Sequence, residues 1–443
     1  MARIDQIPDV PLDLLTALPT PPAAPAAAAA DTRSLRAYCL DLGCSENQLD
    51  GSLIRHYLAA NDWEPAGDPE AADLIIVNSC GFTEEAENRS LDAYREMLAR
   101  KQPGARIIFA GCLPAMNRAR IAQAGYQDVL VTPRTLSVLD TVTNARVPIA
   151  GSEPEGCIPF SSDGIHAELE AGLGTVQVLL KRLATALLAV PFLPVPRWLW
   201  QFRYLPDRDV ELIRISVGCL NRCSFCSIPM AKGVMRSVAP DTVVNSVRDA
   251  LRRGKRHISL SCDELGSYGQ DIGTDIVALL DRVTALPGDF HVILRNAHPE
   301  WILKYWEGLA PILRRGRVSF LIIPVQSGSD RVLAMMRRSH TTAEYRRLVE
   351  RIRQTAPAVI VRTHFIVGLP GETEDDYRAT RRFAATLPVD TFRVHTYSDR
   401  PRTMASRMPG KVPADVIRRR ARGMRWTEAG AFFRAFRWLP LRP

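Results

Sequence analysis

Gly218-Cys219-Leu-Asn-Arg-Cys223-Ser-Phe-Cys226 puts three thiols in one short loop, directly after the apolar run Leu212–Val217. Three thiolates at this spacing can hold three irons of a [4Fe–4S] cube, and the absent fourth cysteine leaves one iron open to a substrate or cofactor. Zinc would want four closed ligands, or three plus water with histidines nearby, and the loop contains no histidine. A second set is dispersed. Cys44, Cys80 and Cys112 each follow an apolar run: Tyr38–Leu42, Leu74–Val77 and Ile107–Ala110. The carboxyl ends of parallel strands gather along one sheet edge, so these three thiols can converge on a second cluster. Gly43, Gly81 and Gly111 suit tight turns beside a bulky group. Cys39, Cys157 and Cys262 share no such setting and read as structural or incidental thiols.

The elements that would position these loops follow from periodicity. Between residues 35 and 150, the short apolar runs Leu35–Leu42, Leu74–Val77, Arg106–Ala110 and Asp128–Val131 alternate with helical patterns at Ser52–Ala60 and Glu84–Arg100. That alternation predicts an α/β domain with a doubly wound parallel sheet. A second series spans 211–425, with strands expected at Glu211–Val217, His257–Ser261, His291–Leu294, Val318–Ile323, Ala358–Phe365 and Thr391–Tyr397. Six βα units predict a partial TIM-type (β/α)6 barrel, whose active site belongs at the carboxyl ends of its strands. There stand Asp263 and Glu264, Arg295, Gln326 and Ser327, and Gly368, within Phe365-Ile-Val-Gly-Leu-Pro-Gly-Glu-Thr373. The last segment lacks the ending of a phosphate-binding P-loop, and also reads as a strand-to-helix turn with Thr373 capping the next helix.

Composition is that of a globular protein, 46% hydrophobic and 24% charged, which excludes fibrous and wholly disordered classes. The net charge of +9 mildly favours acidic partners such as nucleic acid, although an arginine-rich solvated surface explains it equally simply. Residues 1–34 carry a Pro/Ala tract and no signal peptide, and read as a disordered leader. With no secretory signal and a chain long enough to bury a core without disulfides, a cytoplasmic setting with reduced thiols is expected. Residues 151–210 form a linker containing the helical, partly amphipathic Leu169–Val190 and the aromatic segment 191–202. Lys181, Arg182 and Pro191 interrupt it, so it is too short to span a bilayer. Pro413–Arg425 reads as a basic helix, and 426–443 as a tail.

The C-x-x-x-C-x-x-C loop after the first barrel strand resembles that of the radical S-adenosylmethionine superfamily. The resemblance implies that the open iron chelates the amino and carboxylate groups of S-adenosylmethionine, and that one electron cleaves the sulfonium to a 5′-deoxyadenosyl radical. It also implies that Asp263, Glu264, Arg295, Gln326, Ser327 and Gly368 contact that cofactor; no catalytic residue beyond the cluster ligands is assigned. Leu42-Gly-Cys-Ser-Glu-Asn-Gln-Leu-Asp50, Val77-Asn-Ser-Cys-Gly-Phe-Thr83, Ala110-Gly-Cys-Leu113, Tyr268-Gly-Gln-Asp271 and Tyr397-Ser-Asp-Arg-Pro-Arg-Thr403 extend the likeness to the methylthiotransferases, from about Leu35 to Met408. Two [4Fe–4S] clusters, held by Cys219, Cys223 and Cys226 and by Cys44, Cys80 and Cys112, are then implied. So are the conversion of a C–H bond to C–SCH3 and a reducing partner such as flavodoxin or ferredoxin.

Two features depart from that family. Relatives commonly end in a small β-barrel, the TRAM domain, for which no room is seen after Met408. Asp399 and Arg402 stand where relatives commonly show Pro and Gly. Cys80-Gly-Phe-Thr83 and Arg362–Thr373 look more like the branch that modifies an aspartate of a ribosomal protein. Gln326-Ser-Gly-Ser329 looks more like the branch that modifies a tRNA adenosine beside the anticodon. A protein or peptide substrate is the favoured expectation and tRNA the alternative. Another C–H or sulfur-insertion reaction on a natural-product peptide is a further reading.

Overall fold

The computed structural model describes residues 34–126, 129–151 and 210–435. The expected leader, the linker with its aromatic segment and Cys157, and the end of the tail lie outside the described residues. The first part is a five-stranded parallel sheet of order β2-β1-β3-β4-β5. Its strands are β1 (Arg36–Asp41), β2 (Glu64–Pro65), β3 (Leu74–Ser79), β4 (Arg106–Gly111) and β5 (Leu130–Val131). Helices α1 (Ser45–Ala60), α2 (Glu84–Arg100), α3 (Cys112–Met116), α4 (Arg118–Gln123) and α5 (Val138–Thr143) connect and flank them. β3 is buried along its whole length, as a central parallel strand with both faces covered must be. α2 starts where the sequence placed it: Thr83 Oγ1 accepts from Ala86 N at 3.1 Å, and Glu84, Glu85 and Glu87 complement the helix dipole.

The second part is an open six-stranded parallel sheet of order β13-β12-β11-β10-β9-β6. Its strands are β6 (Val210–Arg214), β9 (His257–Ser261), β10 (His291–Leu294), β11 (Val318–Ile322), β12 (Ile360–Val367) and β13 (Thr391–Thr396). The strand expected at Glu211–Val217 breaks at Ile215, and β7 (Ser216–Val217) pairs antiparallel with β8 (Arg236–Ser237). The helices are α6 (Ile228–Lys232), α7 (Pro240–Arg252), α8 (Ile276–Thr284), α9 (Pro299–Lys304), α10 (Trp306–Arg314), α11 (Asp330–Met335), α12 (Thr342–Thr355), α13 (Glu374–Thr386) and α14 (Ala414–Ala435). Thr373 and Asp376 form a capping box on α13, so the cap read from the sequence is present. α14 runs ten residues beyond the expected Arg425.

Alternation along the strands separates the two faces. Leu260, Leu294, Leu321, Val361, Phe365 and Phe392 pack outward in the main core. The inward apolar side chains Leu212, Ile293, Phe320, Ile322 and Ile360 instead enclose Leu49, from α1 of the other sheet. α1 begins seven residues before the expected Ser52. Its added first turns carry Glu46, Asn47, Gln48 and Asp50, polar side chains that are buried and not solvated. Tertiary partners override the sequence pattern here.

Candidate functional site

Both cysteine trios follow carboxyl ends of strands, and their loops come together where Ser227, next to Cys226, donates to Met116 Sδ of α3 at 3.4 Å. Gly218 has φ +91° and a Cβ there would lie 2.3 Å from Val234 O, so only glycine lets the chain turn into Cys219. Gly111 repeats the device before Cys112: φ is +96° and a Cβ would meet Ser79 O at 2.3 Å. Cys44 occupies the cap position of α1, Cys112 opens α3, and the backbone of Cys80 is pinned at both ends by Ser90 Oγ, at 3.0 and 3.1 Å.

An amide network that the sequence reading missed ties the Cys44 and Cys80 loops together. Asn47 Nδ2 donates to Asn78 Oδ1 at 2.7 Å and to Ser79 O at 3.2 Å, while Asn78 Nδ2 donates to Asp41 Oδ1 and Asn47 O, both at 2.7 Å. The available signal was two asparagines placed beside Cys44 and Cys80, one of them ending an otherwise apolar strand.

The thiols fit what the cysteine spacing implies. Burial pushes the Cys44 thiol up to about 12, and the nearby Cys80 pushes it further; burial likewise raises Cys112, with Cys44 and Cys80 adding to it and Lys232 opposing. In the other trio, burial raises Cys219, with Glu264, Cys226 and Cys223 adding to it, and lifts Cys226 to about 12. Left alone, Cys44, Cys112, Cys219 and Cys226 would not ionise easily, whereas iron–sulfur ligation deprotonates a thiol outright. N–H groups point at the sulfurs: Asn221 N lies 3.4 Å from Cys219 Sγ, and Arg338 Nη1 lies 3.5 Å from Cys223 Sγ. Such donors suit thiolate ligands and tune a cluster. Among the described residues no group of His, Cys, Asp or Glu is arranged to hold a single metal ion; a cube differs in spreading its three thiolates over three irons.

Between the trios runs a buried chain of charges. Lys232, the last residue of α6, pairs with Asp50, which also accepts from Arg214 Nη2 at 2.7 Å; Arg214 Nη2 reaches Glu46 O at 2.9 Å. Ser261 donates to Glu46 Oε1. Asp50 is held below the usual carboxylate range because the Lys232 and Arg214 cations outweigh its burial. Cys80 is secured from the other side. Glu87 pairs with Arg400 at 2.5 Å, Arg400 Nη1 donates to Gly81 O at 3.2 Å, and Glu84 N donates to Ser398 Oγ at 2.8 Å. The segment after β13 is therefore a clamp on the Cys80 loop. Arg402, where relatives commonly show glycine, adopts φ +67° and donates to Ala115 O. Asp399 pairs with Lys411 at 2.8 Å.

The other candidate residues divide. Asp263 Oδ2 accepts from Gly218 N at 2.8 Å, at the root of the cysteine loop, and burial raises its pKa against the pull of Lys232. Arg295 projects inside the barrel, with Glu46 and Cys44 among its electrostatic neighbours. Glu264 instead gathers backbone amides of Gly266, Ser267 and His298 at 2.8, 2.6 and 3.2 Å. Ser327 contacts Thr380 of α13 at 3.1 Å, turned away from the barrel interior. Gln326 sits at φ +76° and bridges to Phe365 through its backbone. Gly368 has φ +89° and leaves room for Ile417 of α14.

Known proteins share this organisation. Residues 213–384 match the radical SAM superfamily, and residues 36–132 match the uncharacterized protein family UPF0004. A probable threonylcarbamoyladenosine tRNA methylthiotransferase of Pyrococcus horikoshii is 28% identical over 396 residues, 88% of this chain and 82% of that protein. The ribosomal protein uS12 methylthiotransferase RimO of a Roseiflexus species is 31% identical over 399 residues, 87% of this chain and 79% of its own length. The fold is also that of the radical S-adenosylmethionine methyltransferase TsrM of Kitasatospora setae, with a TM-score of 0.55 at 15% identity, covering 84% of this chain and 77% of that one. No helix among the described residues is long and apolar enough to cross a membrane. The two family matches in succession, together with a methylthiotransferase relative 31% identical over most of both chains, make the chain a member of the radical S-adenosylmethionine methylthiotransferase family.

Proposed function

We propose that this chain transfers a methylthio group to a tRNA nucleoside, with N6-threonylcarbamoyladenosine as the modified base. The observation that supports RNA is a cavity of about 420 Å³ beside the end of β13, lined by Thr396, Arg418, Ala421, Arg422 and Arg425. Among the described residues the side chains of these three arginines make no ion pair or hydrogen bond, and Thr396 beside them is the carboxyl end of β13. Guanidinium groups free to meet phosphate are what backbone recognition needs. A second reading, transfer to a side chain of ribosomal protein uS12, is supported by the RimO relative at 31% identity.

S-adenosylmethionine and two [4Fe–4S] clusters are the cofactors of this family. In our reading Cys219, Cys223 and Cys226 hold one cluster, Cys44, Cys80 and Cys112 the other, and Asp263 and Arg295 line the space between them. When bound, such a pair supplies one-electron cleavage of a sulfonium and a source of sulfur. The protein's own part is to hold both cofactors in a fixed relation. α1 carries Cys44 and plugs the barrel with Leu49, while Asp50, Arg214 and Lys232 fix the distance between the trios.

The test uses the reconstituted chain with S-adenosylmethionine and a low-potential reductant. A stem–loop RNA bearing N6-threonylcarbamoyladenosine is expected to gain –SCH3 by mass spectrometry, and purified uS12 is not; the reverse result would establish the protein reading. Replacing Cys44, Cys80 and Cys112 with alanine should lower iron from about eight to about four per chain and stop methylthio transfer, while 5′-deoxyadenosine still forms. Unchanged iron in that variant would remove the second trio from the account.

A further inference from the structure

One wall of the half-barrel brings two arginines and two histidines together. β12 and β13 pair in parallel with His364 opposite Arg393 and Ile366 opposite His395. Their neighbours Phe365, Val367, Phe392 and Val394 pack outward on the helices, so His364, Arg393 and His395 face inward. The His364 and His395 rings meet edge-on with centroids 5.1 Å apart. Arg295 projects from the end of β10 into the same interior, and Arg393 is among its electrostatic neighbours. Arg295 Nε is buried and has no hydrogen-bond partner.

The carboxylate that acts on Arg295 is Glu46, already engaged by Ser261 and Arg214. Burial and adjacent cations hold both histidines neutral, His395 down at about 4, so they offer N–H donors without adding charge. Arg393 is solvent-exposed, while Arg295, His364 and His395 are half-buried, so the wall is open from the β13 edge. Cys44 lies among the electrostatic neighbours of Arg295. Whatever docks on this wall stands next to the dispersed cysteine trio. A buried guanidinium N–H with no acceptor, as at Arg295 Nε, is costly to keep, and a ligand carboxylate is the group that would satisfy it.

We propose that Arg295, His364, Arg393 and His395 form a binding site for a carboxylate on the substrate, positioning the neighbouring C–H bond between the two cysteine trios. The inference rests on the tRNA reading, in which the threonyl group of the modified adenosine carries that carboxylate. For the second reading an acidic side chain would take its place.

Fluorescence anisotropy with the cluster-loaded full chain tests it. Two anticodon stem–loop RNAs are compared, one with the threonyl carboxylate free and one with it converted to the neutral primary amide. The chain is expected to prefer the acid by roughly tenfold to a hundredfold, the range of one or two charge-assisted hydrogen bonds. Arg393→Gln and His395→Gln should collapse that ratio towards one, and Arg393→Lys, which keeps the charge, should retain most of it. Equal binding of acid and amide RNAs by the unaltered chain would overturn the carboxylate site and leave the tRNA reading standing. A ratio that survives both glutamine variants would overturn it as well. Failure to bind either RNA would overturn both.

Discussion

Replacing Cys219, Cys223 and Cys226 together with alanine is expected to halve the iron of the reconstituted chain, from about eight to about four per molecule, and to abolish 5′-deoxyadenosine formation under reducing conditions. The loop offers no substitute ligand. Asn221 N and Arg338 Nη1 are donors aimed at the sulfurs, so removing the sulfurs leaves hydrogen-bond donors where iron would need ligands. Gly218 already forces the backbone into a left-handed turn that presents these three side chains and no others. The fold should survive, because the surrounding core is built from strands and helices outside the loop. Iron analysis, electron paramagnetic resonance and product chromatography check the result. Continued reductive cleavage of S-adenosylmethionine by the triple variant would end the assignment of this loop.

Asp50→Ala should be the most disruptive single change away from the cysteines. It strips Lys232 and Arg214 of their shared carboxylate, leaving Lys232 buried without a counter-ion while Arg214 keeps only Glu46 at 3.7 Å. Leaving a buried charge without its counter-ion typically costs about 3–5 kcal/mol, a large part of a stability that is itself of order 10 kcal/mol. Asp50 also stands one and a half turns from Cys44 on the same helix, so loosening it should weaken iron retention at the dispersed trio before the compact one. Urea denaturation followed by iron release measures both effects. An unchanged midpoint together with unchanged iron would show that this carboxylate contributes nothing to joining the sheets.

Why the sequence disclosed some of this and hid the rest is a matter of distance along the chain. The compact trio declares itself within eight residues, and the dispersed trio is legible because each cysteine follows an apolar strand whose carboxyl end has only one place to go. Strand positions were equally plain: β9 and β10 have the limits that hydrophobicity alone suggested, since their side chains are buried on both faces. Lys232 and Asp50, by contrast, are 182 positions apart, and nothing in either neighbourhood announces a partner. Ser327, Glu264 and Gly368 lie where barrel chemistry is expected, yet their hydrogen bonds and contacts serve turns and helix packing. Position along a strand tells which end a residue occupies, not which way it turns.

Leu49 fills the hollow that Val210, Leu212, Ile293, Phe320, Ile322 and Ile360 would otherwise present to water. Expressed without the amino-terminal sheet, the barrel would show a greasy socket lined with branched aliphatics and a phenyl ring. Such a fragment should precipitate or self-associate, whatever its cluster content. Tolerated insertions and circular permutations are accordingly to be sought at the outer helices, never between Cys44 and Tyr57.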